Sequence, residues 1–323
     1  MPVADSPQRR RPRVRKAIAQ TMHAIETVEL THRFSSQAVL RGVNLTVPTG
    51  SIYGFLGPNG AGKTTTLRLL LGLLRRQAGT IHVFGQTLER HRLAILRRVG
   101  SSIESPSLYG QLTASENLEV WRRVFRCPSR RIADVLDVVG LRDAGRKRAD
   151  QFSLGMKQRL SIAVALLHEP ELLILDEPTN GLDPHGILEM RKLLGALNGE
   201  RGITILVSSH ILSEIERLVT HVGIIHMGAI RFQGTLDALR ALQAESSFTL
   251  LDTNDNPRAL DIAAGRGIPG RLDQNKIVLR ALSRDEAGRL TGALAASGIA
   301  VHEITTARRD LERIFLDLIG AGE

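Results

Sequence analysis

The chain has 323 residues, 42% of them apolar and 24% charged, with a formal net charge of +10. That balance allows a buried core and excludes low-complexity and fibrous classes. A bilayer-crossing helix needs roughly 20 consecutive apolar residues, and even the leucine-rich run from Leu67 to Leu74 is broken by Arg68 and Gly72; a membrane role is therefore expected to come through a partner.

Residues 1–22 read as a basic disordered tail. Arg9, Arg10, Arg11, Arg13, Arg15 and Lys16 are offset locally only by Asp5, so the remainder is only mildly basic. No hydrophobic stretch follows the paired arginines, which excludes a secretion signal in this run. Such a tail suits anionic lipid, nucleic acid or plain solvent equally. The single cysteine, Cys127, excludes an intramolecular disulfide and fits a reducing cytoplasm.

From residue 25 to 85 short apolar runs alternate with turn residues, predicting strands at 26–30, 45–47, 51–56 and 80–84. Between the third and fourth lies Gly57-Pro58-Asn59-Gly60-Ala61-Gly62-Lys63-Thr64-Thr65, a G-x-x-x-x-G-K-[ST] sequence. Its glycines let successive N–H groups point into one concavity that holds phosphates, Lys63 adds positive charge, and Thr64 offers a hydroxyl to Mg²⁺. Leu67, Leu70, Leu71 and Leu74 follow at i, i+3, i+4, i+7, so a helix starts at the phosphates and directs its positive end at them.

Residues 105–155 form a predicted helical insertion, with amphipathic helices at 116–125 and 130–139, Gly140 as a stop and a basic loop at 142–148. Beyond it, strands Leu172–Leu175, 203–207 and 222–226 alternate with helices at the spacing of a parallel sheet. The first runs into Asp176-Glu177, two carboxylates at the C-terminal edge where such sheets place their chemistry. Asp176 is expected to share Mg²⁺ with Thr64, and Glu177 to polarise the attacking water. After Gly234-Thr235, strands at 248–251, 276–279 and 299–303, helices at 284–296 and 307–319, and loops at 254–257 and 265–270 predict a small α+β domain.

The segment Phe152-Ser153-Leu154-Gly155-Met156-Lys157-Gln158 opens a helix predicted over 156–167, where a serine hydroxyl and a glycine N–H make either an ordinary cap or a second anion site. Here the chain resembles the ATP-binding-cassette family, over about residues 24–235. The resemblance implies an α/β fold of the P-loop NTPase type: a nucleotide-binding domain (23–235) with a mixed sheet and a helical subdomain, followed by a small C-terminal α+β domain (236–323). It also implies that Ser153 and Gly155 cover ATP bound to a second copy, giving a head-to-tail homodimer with two ATP at the seam. Asp183, in Asn180-Gly181-Leu182-Asp183, falls in the loop that crosses that seam. His210 falls where the family has its γ-phosphate-contacting histidine, and Phe34 where an aromatic ring stacks on adenine.

Two departures from the family pattern stand out. Glu104 replaces a glutamine that serves the metal and the attacking water, and Leu154 and Met156 replace a glycine and a glutamine of the signature. Both, with Pro106, Tyr109, the 113–117 stretch and the run 309–315, resemble the branch exporting peptide antibiotics such as bacitracin and lantibiotics. The implied protein is an ATPase on the cytoplasmic face of the membrane, bound peripherally to a separate integral permease, with catalytic Glu177, His210 and Glu104, and Thr64, Asp176 and Glu104 at the metal. No specific nucleic acid is expected. The alternatives are a soluble cassette ATPase acting on ribosomes or nucleic acid, for which the basic tail speaks and the single cassette speaks against, and a nucleotide-dependent sensor with little turnover.

Overall fold

The computed structural model describes residues 23–104, 107–245, 248–273, 275–307 and 311–320. The basic tail and Pro106 lie outside them, as do Arg309 and Asp310. The chain opens with strands β1 (His23–Phe34), β2 (Gln37–Val43), β3 (Thr46–Pro48) and β4 (Ile52–Leu56), then helix α1 (Lys63–Leu70). Next come β5 (Ala78–Val83), β6 (Gln86–Thr87), α2 (Leu88–Leu96) and β7 (Val99–Ser102). Helices α3 (Ala114–Phe125), α4 (Arg130–Val138) and α5 (Leu154–Leu166) precede β8 (Leu172–Leu175), α6 (Pro184–Arg201), β9 (Thr204–Ser209), α7 (Leu212–Ile215), β10 (His221–His226) and β11 (Ala229–Thr235).

These strands make two sheets. One has the order β11-β10-β4-β9-β8-β7, parallel except for its β11 edge. The other is antiparallel, in the order β2-β1-β5-β6, with β3 also paired to β1. Every residue of β4, β8 and β9 is buried, as expected of parallel strands covered on both faces. Alternation then divides the core. Leu173, Leu175, Ile205 and Val207 pack with the helices, whereas Leu172, Ile174 and Leu206 pack with α1 and the antiparallel sheet.

Helices α3 and α4 are firmly tied down. Thr113 and Glu116 form a capping box that starts α3, and bonds from the Thr113 backbone and hydroxyl hold the Glu116 carboxyl below the usual range. The fully buried Asn117 bonds Tyr109 at both N–H and carbonyl, fixing the preceding loop. Arg131 donates to the carbonyls of Leu166 and Leu167 at 3.0 and 3.2 Å, locking α4 onto the end of α5.

The last part contains α8 (Leu236–Glu245), β12 (Phe248–Thr253), α9 (Asn256–Gly265), β13 (Gly270–Asp273), β14 (Lys276–Arg280), α10 (Arg284–Ala296), β15 (Val301–Ala307) and α11 (Leu311–Gly320). Its antiparallel sheet has the order β13-β14-β12-β15, with α9 and α10 packed over a separate small core. Several expectations are corrected here. The loop expected at 254–257 is the start of α9: Asp255 caps Arg258 N–H and Pro257 sits in the first turn. Turn formers and helix starters are the same residue types, since both use a short polar side chain against a free N–H. The strand expected at 299–303 runs from Val301 to Ala307, which displaces the start of the final helix to Leu311.

That helix also packs elsewhere than expected. Its Leu311, Ile314 and Phe315 join Leu212 and Ile215 of α7 and Leu236 and Leu239 of α8 in the core beside the parallel sheet, not in the core of the small sheet. The apolar stripe was legible in the sequence. Its destination was not, because periodicity marks which face is buried and not against what.

Candidate functional site

The phosphate loop joins β4 to α1, and its backbone requires glycine at three places. Gly60 and Gly62 sit at φ +81 and +109, and a Cβ on Gly57 would come within 2.3 Å of the Ile225 carbonyl oxygen. Thr66 Oγ1 returns to the Gly62 carbonyl at 2.9 Å. Lys63 is only 5% exposed, and its Nζ donates to the carbonyls of Gly57 and Pro58 at 2.8 and 3.3 Å. It also lies 3.2 Å from Glu177 Oε1.

The structure brings Thr64, Asp176, Glu177 and His210 together from three segments. Thr64 Oγ1 donates to Asp176 Oδ2 at 2.8 Å, and His210 Nδ1 lies 2.8 Å from Glu177 Oε2. A carboxylate can only accept, so that contact places the imidazole proton on Nδ1. Glu177 has φ +47, a left-handed turn that aims its side chain back to Lys63 and His210.

One residue the sequence analysis missed fixes this turn. Ser208, fully buried near the end of β9, donates to Asp176 Oδ1 at 2.5 Å and accepts from the Glu177 N–H at 2.9 Å. Its hydroxyl therefore sets both acids at once. In the sequence the only signal is its position two residues before His210, on a strand adjacent to the acidic one. Ser208→Ala would leave a carboxylate oxygen and an N–H without these partners, at a cost of about 1–3 kcal/mol. Steady-state ATPase assays should show kcat reduced about tenfold, equivalent to ~1.4 kcal/mol in the barrier, with nucleotide affinity retained; an unchanged kcat would remove Ser208 from this role.

Other predicted residues lie apart from this cluster. Phe34 ends β1 and is 46% exposed, with an edge contact to the His32 ring at 4.7 Å, so it is not a core residue. Ser153 and Gly155 line a cavity with Gly181, Leu182 and Asp183, and no hydrogen bond connects them to residues 57–65 among the described residues. Ser153 Oγ caps α5 through Met156 N–H at 3.3 Å, and Asp183 Oδ1 caps α6 through Gly186 N–H at 2.9 Å. Glu104, expected at the metal, is instead paired with Arg68 and more than half exposed.

A strand-loop-helix phosphate site, a strand ending in two acids and a helical insertion ending in a serine-capped helix together define a P-loop nucleotide-binding ATPase. Residues 40–180 match the family model described as ABC transporter. The chain is 45% identical over 304 residues to the bacitracin transport ATP-binding protein BcrA of Bacillus licheniformis, covering 92% of this chain and 98% of that protein. It is 42% identical over 214 residues to the lantibiotic transport ATP-binding protein SrtF of Streptococcus pyogenes, covering 66% of this chain and 92% of that protein. Among solved structures, cbiO1 from Clostridium perfringens, described as part of the ABC transporter complex cbiONQ, superposes with a TM-score of 0.63 at 27% identity, covering 68% of this chain and 91% of that chain. The chain belongs to the ATP-binding proteins of ABC transporters, and its activity is ATP hydrolysis in a transport system.

Proposed function

We propose that this chain is the ATPase of an exporter for a peptide antibiotic, drug or similar amphiphile, working as a homodimer on a separate integral membrane permease. The observation that carries the export reading is the extent of the match: the likeness to a bacitracin transport protein covers 92% of this chain, more than the cassette alone. No described helix is long and apolar enough to cross a membrane, which fits a peripheral place on the cytoplasmic face. Val124 and Phe125 of α3 are exposed, as is Tyr109 in the loop before it; these supply apolar surface for a permease on the helical part. We assign residues 23–235 to the ATPase domain and 236–323 to a C-terminal extension whose first and last helices brace that domain.

Thr64 and Asp176 form an oxygen-only donor pair with one carboxylate, at the start of a helix where phosphates bind. That donor set fits Mg²⁺, which typically takes one or two carboxylates and completes its shell with water and phosphate. When bound, the ion supplies charge neutralisation across the β- and γ-phosphates. Lys63 and the N–H groups of residues 60–65 hold the phosphates. Glu177 accepts the proton of the attacking water, and His210 orients Glu177 through Nδ1. Phe34 offers its ring to adenine.

Among the described residues no hydrogen bond joins Ser153 or Gly155 to the phosphate loop, which supports a site completed by a second copy. Two ATP then favour the closed dimer and hydrolysis the open one, a population shift passed to the permease through α3 and α4. The test is complementation. Loss of the chain should lower its host's resistance to a bacitracin-like peptide; wild type should restore it and Glu177→Gln should not. Restoration by Glu177→Gln, or no change in resistance on loss, would count against an export ATPase.

A further inference from the structure

The Arg68–Glu104 pair is unexplained by the hydrolytic cluster. Arg68 follows Thr64 by four residues on α1, so the two side chains share a helix face, with Arg68 about one turn, or ~5.4 Å, farther along the axis. Glu104 lies two residues beyond Ser102, whose carbonyl accepts the Asp176 N–H at 2.9 Å and whose hydroxyl meets Ser161 on α5 at 2.8 Å. The loop carrying Glu104 is thus anchored beside Asp176, yet its carboxylate contacts Arg68. Glu104 also has φ +63, a left-handed conformation that non-glycine residues adopt at a cost.

Magnitudes argue against a structural role for the pair. Arg68 and Glu104 are 36% and 58% exposed, and ion pairs so open to water contribute about 0–1 kcal/mol to stability. Such a pair opens easily. Its charge placement is more telling. Asp176 and Glu177 already put two carboxylates beside the phosphate loop, and Lys63 is engaged with Glu177. A third carboxylate entering alongside a triphosphate meets like charge unless a cation accompanies it.

We propose that Arg68 is the resting partner of Glu104, a positioning residue that parks the carboxylate one helical turn from Thr64 and Asp176. The pair offsets the charge of Glu104 while nucleotide enters and releases the carboxylate toward the metal side of the site afterwards. The inference rests on the reading that Thr64 and Asp176 hold Mg²⁺ with ATP.

The test is a double-mutant cycle on the full chain with Arg68→Ala, Glu104→Gln and the double variant, plus Arg68→Lys as the conservative control. Two binding readouts are taken without turnover: affinity for a fluorescent ATP analogue in EDTA, and Mn²⁺ affinity of the nucleotide complex by electron paramagnetic resonance. Arg68→Ala should weaken metal-free nucleotide binding and strengthen Mn²⁺ binding, each about two- to fivefold, the range an exposed ion pair supports. Both shifts should vanish in the Glu104→Gln background, and Arg68→Lys should stay near wild type. Equal shifts in both backgrounds, or no shift in either, would overturn the proposal; Arg68→Gln gives the same readout should alanine disturb α1. Failure of the wild-type chain to bind Mn²⁺ with nucleotide would overturn the underlying metal reading, and is seen before any variant is compared.

Discussion

Glu177→Gln is expected to cut ATP turnover by about two to four orders of magnitude, the usual contribution of a positioned general base, while ATP binding persists. Glutamine keeps the shape of the side chain and one acceptor oxygen beside Lys63 or His210, which lie 3.2 and 2.8 Å from the two carboxylate oxygens. It cannot take the proton of the attacking water. The turn that carries it depends on Ser208 and the backbone N–H, neither of which the substitution touches, so the fold should be retained. With hydrolysis blocked, the two-ATP state accumulates. Size-exclusion chromatography in the presence of ATP should therefore show a dimer holding two nucleotides, where wild type is mostly open. Turnover within a few-fold of wild type would sink the assignment of Glu177 as base, and a monomer saturated with ATP would sink the shared-site reading.

Lys63→Ala is expected to weaken ATP binding by roughly tenfold to a hundredfold, corresponding to about 1.5–3 kcal/mol for a hydrogen bond to a charged group. Isothermal titration calorimetry measures it directly. The loss has two sources in this geometry. The ammonium that meets the phosphates is removed, and Glu177, which Lys63 approaches at 3.2 Å, then presents its charge to the same phosphates uncompensated. The second source makes a further result specific. In the Glu177→Gln background the penalty of Lys63→Ala should be smaller, because residues in direct contact couple in double-mutant cycles. Tight binding retained by Lys63→Ala would remove it from the phosphate site; an equal penalty in both backgrounds would remove only the coupling.

Much of the site was legible in the chain because its parts are local. Residues 57–65 need glycine where the backbone turns left-handed or passes close to another strand, and those needs are met within nine consecutive positions. The acids at the end of Leu172–Leu175 follow from a strand with no polar residue, buried on both faces. Helix Arg284–Ala296 was predicted at its observed bounds, since Ser283 and Glu286 mark its start with a capping box. Where local signals conflicted, the reading failed. β7 (Val99–Ser102) was missed because Gly100 and two serines do not resemble a strand; glycine is required there because a Cβ would meet the Ala165 carbonyl oxygen at 2.3 Å. β2 was missed because Arg41 and Gly42 interrupt its apolar run, and α2 because its short pattern is kinked at His91.

The sequence alone pointed to nucleotide binding, to the glycine-rich loop at 57–65 and to the acids that lie near it, because each of these depends on neighbours along the chain. It also carried the family resemblance that supplied His210 and Ser153. Only the tertiary structure decided three things. Ser208 ties Asp176 to the Glu177 turn across adjacent strands. Glu104 rests on Arg68 instead of joining the acids it was grouped with. The final helix leaves the small sheet and closes over α7 and α8. All three are contacts between segments distant in sequence, and each is chosen by which surfaces the fold brings together and which charges find a partner there, neither of which is encoded in the spacing of residues along one strand or one helix.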